Sequence, residues 1–277
     1  MLRVQRLAEV TGVVLADIHF QPAALTWSPS LPETVDAICL VRSGWFRRAA
    51  VGRTEFLDAA YGYIARIGVE ERVFGREARL TWIQLTPDAY DTLVQGHRGN
   101  REWFFAANPA LDLRHRELIA AAGRGTDGFE MAERTHALLA ALPARTERPG
   151  PGRRPRTLVA HRSLTDSVRE ALNHDPTIGL DSLAKAIGYS PHHVSRVFSA
   201  MTGRSVTDYR NELRVRSVLE DLAQGADNLA DLATRHGFAD HAHLTRTVVQ
   251  KVGRTPSALR RQLSTGRRTS RDLRVTP

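Results

Sequence analysis

Cysteine, lysine and long apolar runs are what these 277 residues have least of. Cys39 is the single cysteine, which excludes an intrachain disulfide and a cysteine-clustered zinc site. No run of about 18 apolar residues occurs, so no transmembrane helix is expected. The hydrophobic share of 42% is ordinary for a globular chain. The opening MLRVQRLAEV has neither the apolar stretch nor the cleavage site of a secretory leader, and a cytoplasmic location without membrane contact is the expectation. GxSxG, a P-loop and a Rossmann fingerprint are all missing, so no enzyme class is indicated. Among basic residues only Lys185 and Lys251 are lysine, which reflects a GC-rich genome before it reflects chemistry.

What is present is unevenly placed. Residues 1–150 hold 18 basic and 18 acidic side chains, whereas residues 151–277 hold 21 and 12, so the whole excess of +9 lies in the second half. A basic region joined to a neutral one points to a polyanionic partner for the former. Between them PARTERPGPGRRPRT, residues 143–157, packs four Pro, two Gly and five Arg into a linker. The tail, residues 264–277, is polar and aperiodic and reads as disordered.

The second half repeats itself. GYSPHHVSRVFSAMTGRS (188–205) returns as GFADHAHLTRTVVQKVGRT (237–255). At an offset of 50, His193 falls on His243, Arg196 on Arg246, Gly203 on Gly253 and Arg204 on Arg254. Upstream the offset is 49, so the second turn has gained one residue. Two copies of one supersecondary unit are implied. Each reads as helix, tight turn, helix. Leu180, Leu183, Ala184 and Ile187 line a short helix that Gly188 ends, and Ser190 caps the next one with Pro191 in its first turn. In the second copy Asn228 caps residues 229–236, Gly237 breaks them, and Asp240 caps 241–252. One continuous helix over 206–223 should hold the units apart. This is helix-turn-helix geometry.

The outward faces of the second helices carry His192, Ser195 and Arg196 in one unit, and His241, His243, Thr245 and Arg246 in the other, with His193 a further candidate contact. Arg can take guanine bidentately, and Ser, Thr and His can meet base edges or phosphates. Arg204 and Arg254 flank the helices and suit phosphate oxygens. His193 and His243 could equally serve the turn. Neighbouring histidines such as His192–His193 do not face one another on a helix and no acidic ligands accompany them, so neither a metal nor a cofactor is expected.

Residues 158–263 resemble the DNA-binding domain of the AraC/XylS family of bacterial transcription regulators, through SPHHVSRVF, TGRSVTDYRNELRVRSV and LADLATRHGFADHAHLTRTVVQKVGRTPSALR. Leu244 and Val248 stand where that family has Phe, and Val206 where Pro is common; all three are packing positions. The resemblance implies sequence-specific binding of double-stranded promoter or operator DNA, association with the nucleoid, activation more often than repression, RNA polymerase as a further partner, and groove-facing positions at His192, Ser195, Arg196, His241, Ala242, His243, Thr245 and Arg246.

Residues 1–142 are expected to form a sensor and dimerisation domain. Over 1–100, DAICLVRSGWF and the segments after it alternate apolar, aromatic and Arg residues with Gly punctuation, as short strands of a barrel or sandwich do. The resemblance adds a cupin-like barrel that takes a small-molecule effector, here without cupin metal ligands, since residues 1–100 hold only His19 and His97. Trp27, Trp45, Tyr61, Tyr63 and Trp82 are the pocket residues to test against a plain core role. Residues 101–142 read as two helices, with Met131, Thr135, Leu138 and Leu142 as one stripe, the seam of a homodimer or a face packed on the barrel. The fold class is α+β, all-α in the second half. A cupin-type enzyme fused to a DNA-binding region, and a constitutive DNA binder without effector, are the rival functions.

Overall fold

The computed structural model describes residues 2–10, 12–93, 103–142 and 155–264. Most of the linker and all but the first residue of the tail lie outside the described residues. Eight strands make one antiparallel sheet: β1 (Leu2–Val10), β2 (Val13–Phe20), β3 (Leu31–Pro32), β4 (Asp36–Ala50), β5 (Arg53–Asp58), β6 (Tyr61–Ala65), β7 (Glu70–Leu85) and β8 (Trp103–Ala106). The order is β1-β2-β7-β4-β6-β8, with β3 beside β7 and β5 beside β4. β4 and β7 form its spine, paired from Asp36–Leu85 to Ala50–Glu71 with register shifts at 41/43 and 44/46 that bend the pair.

Period-two alternation along β4 divides the sheet into two buried faces. Ile38 and Leu40 join Leu15, Ile83 and Leu85 on one, while Ala37, Cys39 and Val41 join Phe46, Tyr63 and Leu80 on the other. The first face is covered by α2 (Pro109–Arg124) and α3 (Gly128–Ala140); a short α1 (Pro87–Leu93) follows β7. Asn108 caps α2 by accepting the Leu111 N–H, and Gly125 ends it in the left-handed region.

Two expectations for this half need correction. Residues 101–142 are not wholly helical, because Trp103–Ala106 adds a strand against β6. Four residues are too few for periodicity to tell strand from helix, and only the partner decides. The stripe of Met131, Thr135, Leu138 and Leu142 is not an open seam. All four are buried, and Met131, Leu138 and Leu142 lie in one core with Ile38, Ile83 and Leu118. The sheet takes up the apolar face that a second subunit would have needed.

The second half is all helix: α4 (Pro155–His174), α5 (Leu180–Ala186), α6 (Pro191–Thr202), α7 (Val206–Ala223), α8 (Leu229–Arg235), α9 (His241–Val252) and α10 (Pro256–Leu263). α4 starts inside the segment read as linker, since proline is tolerated in a first helical turn. Leu164, Val168 and Leu172 of α4 pack with Leu183, Val194, Val197 and Phe198. α7 spans 206–223 as its sequence predicts and serves both units. Val206, Tyr209 and Leu213 belong to the first core, and Val215, Val218, Leu219 and Leu222 to the second.

Each of these cores is completed from the first half of the chain. Ala59 and Ala60, at the β5–β6 turn, lie in the first; Leu113 of α2 lies in the second. Buried polar contacts accompany them. Asp58, wholly buried, accepts the Tyr209 hydroxyl, Asn173 Nδ2 at 3.0 Å and its own turn's Ala60 N–H at 3.0 Å, and pairs with Arg169 Nη2 at 3.2 Å. Arg216 of α7 donates to the carbonyls of Ala59 and Ala107 and lies 3.3 Å from Asp112. Arg116 of α2 donates to Glu220 of α7 at 2.8 Å and to Asp112 at 3.0 Å. Burial alone would raise both carboxyls. Arg116 and Arg216 outweigh it at Asp112, as Arg42 and Arg116 do at Glu220, so both are held below the usual carboxylate range.

Candidate nucleic-acid interface

The two repeats fold alike at the caps of their second and following helices. Ser190 Oγ accepts the His193 N–H at 3.3 Å and Asp240 accepts the His243 N–H at 2.6 Å, each capping its helix. Ser205 and Thr255 cap α7 and α10 by the same bond to the third residue on, at 3.0 and 3.3 Å. Gly188 and Gly237 end the first helices at φ of 77° and 71°, a region costly for any residue with a Cβ. Four residues separate α5 from α6 and five separate α8 from α9, so the inserted residue sits in the second turn.

Val194, Val197 and Phe198 fix α6, and Leu244 and Val248 fix α9, each on its inward face. His192, Arg196, His241 and Arg246 are left exposed; Ser195, Ala242 and Thr245 are half-buried beside them. The two faces therefore offer short or planar donors and acceptors at equivalent places, as groove-reading helices do.

Four of the residues named from the sequence have other work in this structure. His193 stacks on Tyr189 with ring centroids 5.3 Å apart, and its Nδ1 lies 3.5 Å from Arg196. His243 meets Phe238 edge-on at 5.4 Å and its Nδ1 accepts the Ala239 N–H at 3.3 Å. The repeated histidine thus braces its turn. Arg204 pairs with Glu212 of α7 at 2.5 Å, and Arg254 reaches Glu117 of α2 at 2.8 Å. Both are ion-paired within the chain.

The five aromatics named as a pocket do not converge. Tyr63 and Trp82 share the inner face of the sheet, centroids 6.5 Å apart. Trp45 stacks on Phe56 at 5.2 Å and Tyr61 on Phe104 at 4.7 Å, and the Arg169 guanidinium of α4 lies over both Phe56 and Tyr61. Trp45 thus sides with the helices, whereas Tyr61 packs both on their core and on the sheet face that holds Tyr63 and Trp82. Trp27 lies against Phe74 and under Arg72, partly exposed. Beside Tyr63 the inner face holds polar groups that sequence reasoning missed. Arg48 lies over the Tyr63 ring at 4.5 Å and pairs with Glu71. Near them Glu33 is pushed up to about 8, by burial first and by Glu71 second. Asp58, Leu113, Arg169 and Arg216 were missed as well. Their one signal is charge or bulk at helix and turn positions flanked by apolar residues.

Residues 183–262 match a family described as a helix-turn-helix domain. The multiple antibiotic resistance protein MarA of Escherichia coli strain K12 is 27% identical over 95 residues, covering 34% of this chain and 73% of its own. The HTH-type transcriptional regulator Rv1931c of Mycobacterium tuberculosis is 25% identical over 261 residues, 87% of this chain and 88% of its own. Among solved structures, ToxT of Vibrio cholerae O395 aligns over 91% of this chain and 98% of its own, at 8% identity and a TM-score of 0.36.

Proposed function

We propose that this chain is a transcription regulator of the AraC type, whose helix-turn-helix region, matched over residues 183–262, reads two successive major grooves of one DNA site with a single copy. The observation that carries this is the duplicated, identically capped pair α6 and α9, held by the shared helix α7. Arg196 and Arg246, both exposed, are the groove contacts with the largest share of specificity. His192, Ser195, His241, Ala242 and Thr245 complete the two faces.

Binding-site selection with the full chain tests this. Arg196→Ala and Arg246→Ala should each cost on the order of 1–3 kcal/mol and relax preference at base positions about ten base pairs apart. Relaxation at one common position, or none from Arg246→Ala, overturns the two-groove reading.

The inner face of the sheet is the place for a small-molecule effector. Tyr63 and Trp82 supply its apolar wall, and Arg48 with Glu71 supplies a charged anchor. No metal is part of this reading. Quenching or a spectral shift of tryptophan emission on titration with small polar aromatics or acids, absent in Trp82→Phe, is the measurement, and its loss in Arg48→Met is the expected control.

A further inference from the structure

α7 shows opposite faces to two surroundings. Glu212, Arg216 and Glu220 look to the N-terminal half or to the charges that bind it. At 3.6 residues per turn, Arg210 and Arg214 fall on the far side. There they meet the seam between the two units. Arg214 Nε donates to the Pro176 carbonyl at 2.8 Å, in the loop before α5. Its guanidinium also crowds Gly237, the turn of the second unit: a Cβ built there would lie 2.6 Å from Thr177 and 3.1 Å from Arg214 Nη2. Four residues after Gly237, α9 begins.

Among the described residues neither guanidinium pairs with a carboxylate as other arginines of the chain do, and Arg214, which is buried, lies instead over the Phe238 ring at 5.9 Å. Arg42, Arg48, Arg116, Arg169, Arg204 and Arg216 each pair with a carboxylate. The carboxylate nearest Arg210 and Arg214 in effect, Asp175, is already held by the N–H and hydroxyl of Thr177 at 2.8 and 2.6 Å. Nε of Arg210 is buried with no hydrogen-bond partner among the described residues. Its counterpart in the second unit, Arg260, donates to the Asp227 carbonyl at 3.1 Å. Burial lowers the pKa of Arg210, and burial with the neighbouring Arg210 lowers that of Arg214, as expected of crowded cations awaiting an anion.

We propose that Arg210, the partly exposed member of the pair and braced by the buried Arg214, is a phosphate contact, gripping the DNA backbone where it passes between the two grooves read by α6 and α9. The inference rests on the two-groove reading above. A strand running from one recognition helix to the other must cross the seam, on the side of α7 away from the sheet. A guanidinium fork there meets two phosphate oxygens at once, and gives affinity without sequence preference.

The test uses the full chain and a mixed-sequence duplex of about three helical turns, roughly 30 base pairs, titrated with salt by fluorescence anisotropy. Arg210→Leu should weaken binding to all sequences alike and flatten the plot of log affinity against log salt by about one unit; Arg210→Lys should keep the slope. Thermal melting of each variant separates a contact from a fold defect. Arg210→Leu with the wild-type slope overturns the phosphate contact, whether or not melting has shifted, and leaves the two-groove reading standing. A wild-type chain with no salt-dependent affinity for the duplex overturns both.

Discussion

The two helix-turn-helix units come from one repeated phrase, yet the N-terminal half grips them by different means. The first is held by charge and hydrogen bonds: Asp58 enters it wholly buried, with Arg169, Asn173 and Tyr209 around one carboxylate, and Ala59 and Ala60 close the core beside it. The second has the buried Arg116–Glu220 pair at its end of α7 but is entered by a hydrophobic plug, Leu113, with an exposed polar rim where Arg254 and Gln262 both reach Glu117 and Arg124 donates to the Gln262 carbonyl. Duplication copied the caps and turns, which are local. It did not copy the docking, which depends on what each unit meets in space.

The contrast can be broken one unit at a time. Asp58→Ala should have the largest effect, about 3–5 kcal/mol, because it strands a buried guanidinium at Arg169 and removes the acceptor of Tyr209. Hydrogen exchange should place the lost protection in α4 and α6 and spare α9 and α10. Leu113→Ala comes next, about 2–3 kcal/mol for a buried Leu truncated beside Val215 and Leu244, with the loss of protection now in α9 and α10. Equal losses in both units from either substitution would mean that α7 transmits the damage and the units are one cooperative block. Arg254→Ala is the smallest, below about 1 kcal/mol by denaturant melting, since that side chain is half exposed and water competes for its ion pair with Glu117. A larger loss would show that the rim, and not the plug, holds the second unit.

The sequence made the second half legible almost residue by residue, for a physical reason. Caps, glycine turns and 3.6-residue spacing act within a few positions, so Gly188, Ser190, Asp240 and the span of α7 could be read in order along the chain. The sheet was legible in kind but not in membership. β8 exists because β6 lies beside it, and nothing inside WFFA says so. The candidate contact residues divide along the same line. Arg196 and Arg246 are exposed where the pattern puts them, whereas His193 and His243 turned to their own turns and Arg204 and Arg254 to carboxylates. The stripe from Met131 to Leu142 was periodic, but periodicity states only that a face is buried, not against which surface. Asp58, Leu113 and Arg216 act through partners at least a hundred positions away, beyond any local signal.

Arg216 bears on how the molecule is made. Its guanidinium is buried on carbonyls 157 and 109 positions earlier, at Ala59 and Ala107, and Asp58 and Asp112 likewise precede the arginines they meet. Synthesis runs from the N-terminus, and domains fold largely as they emerge from the ribosome. The acceptors are therefore set in a finished sheet before α7 is translated. Arg169 and Arg216 each arrive at a carboxylate already in place, and the helix-turn-helix half is assembled on a template supplied by its own chain.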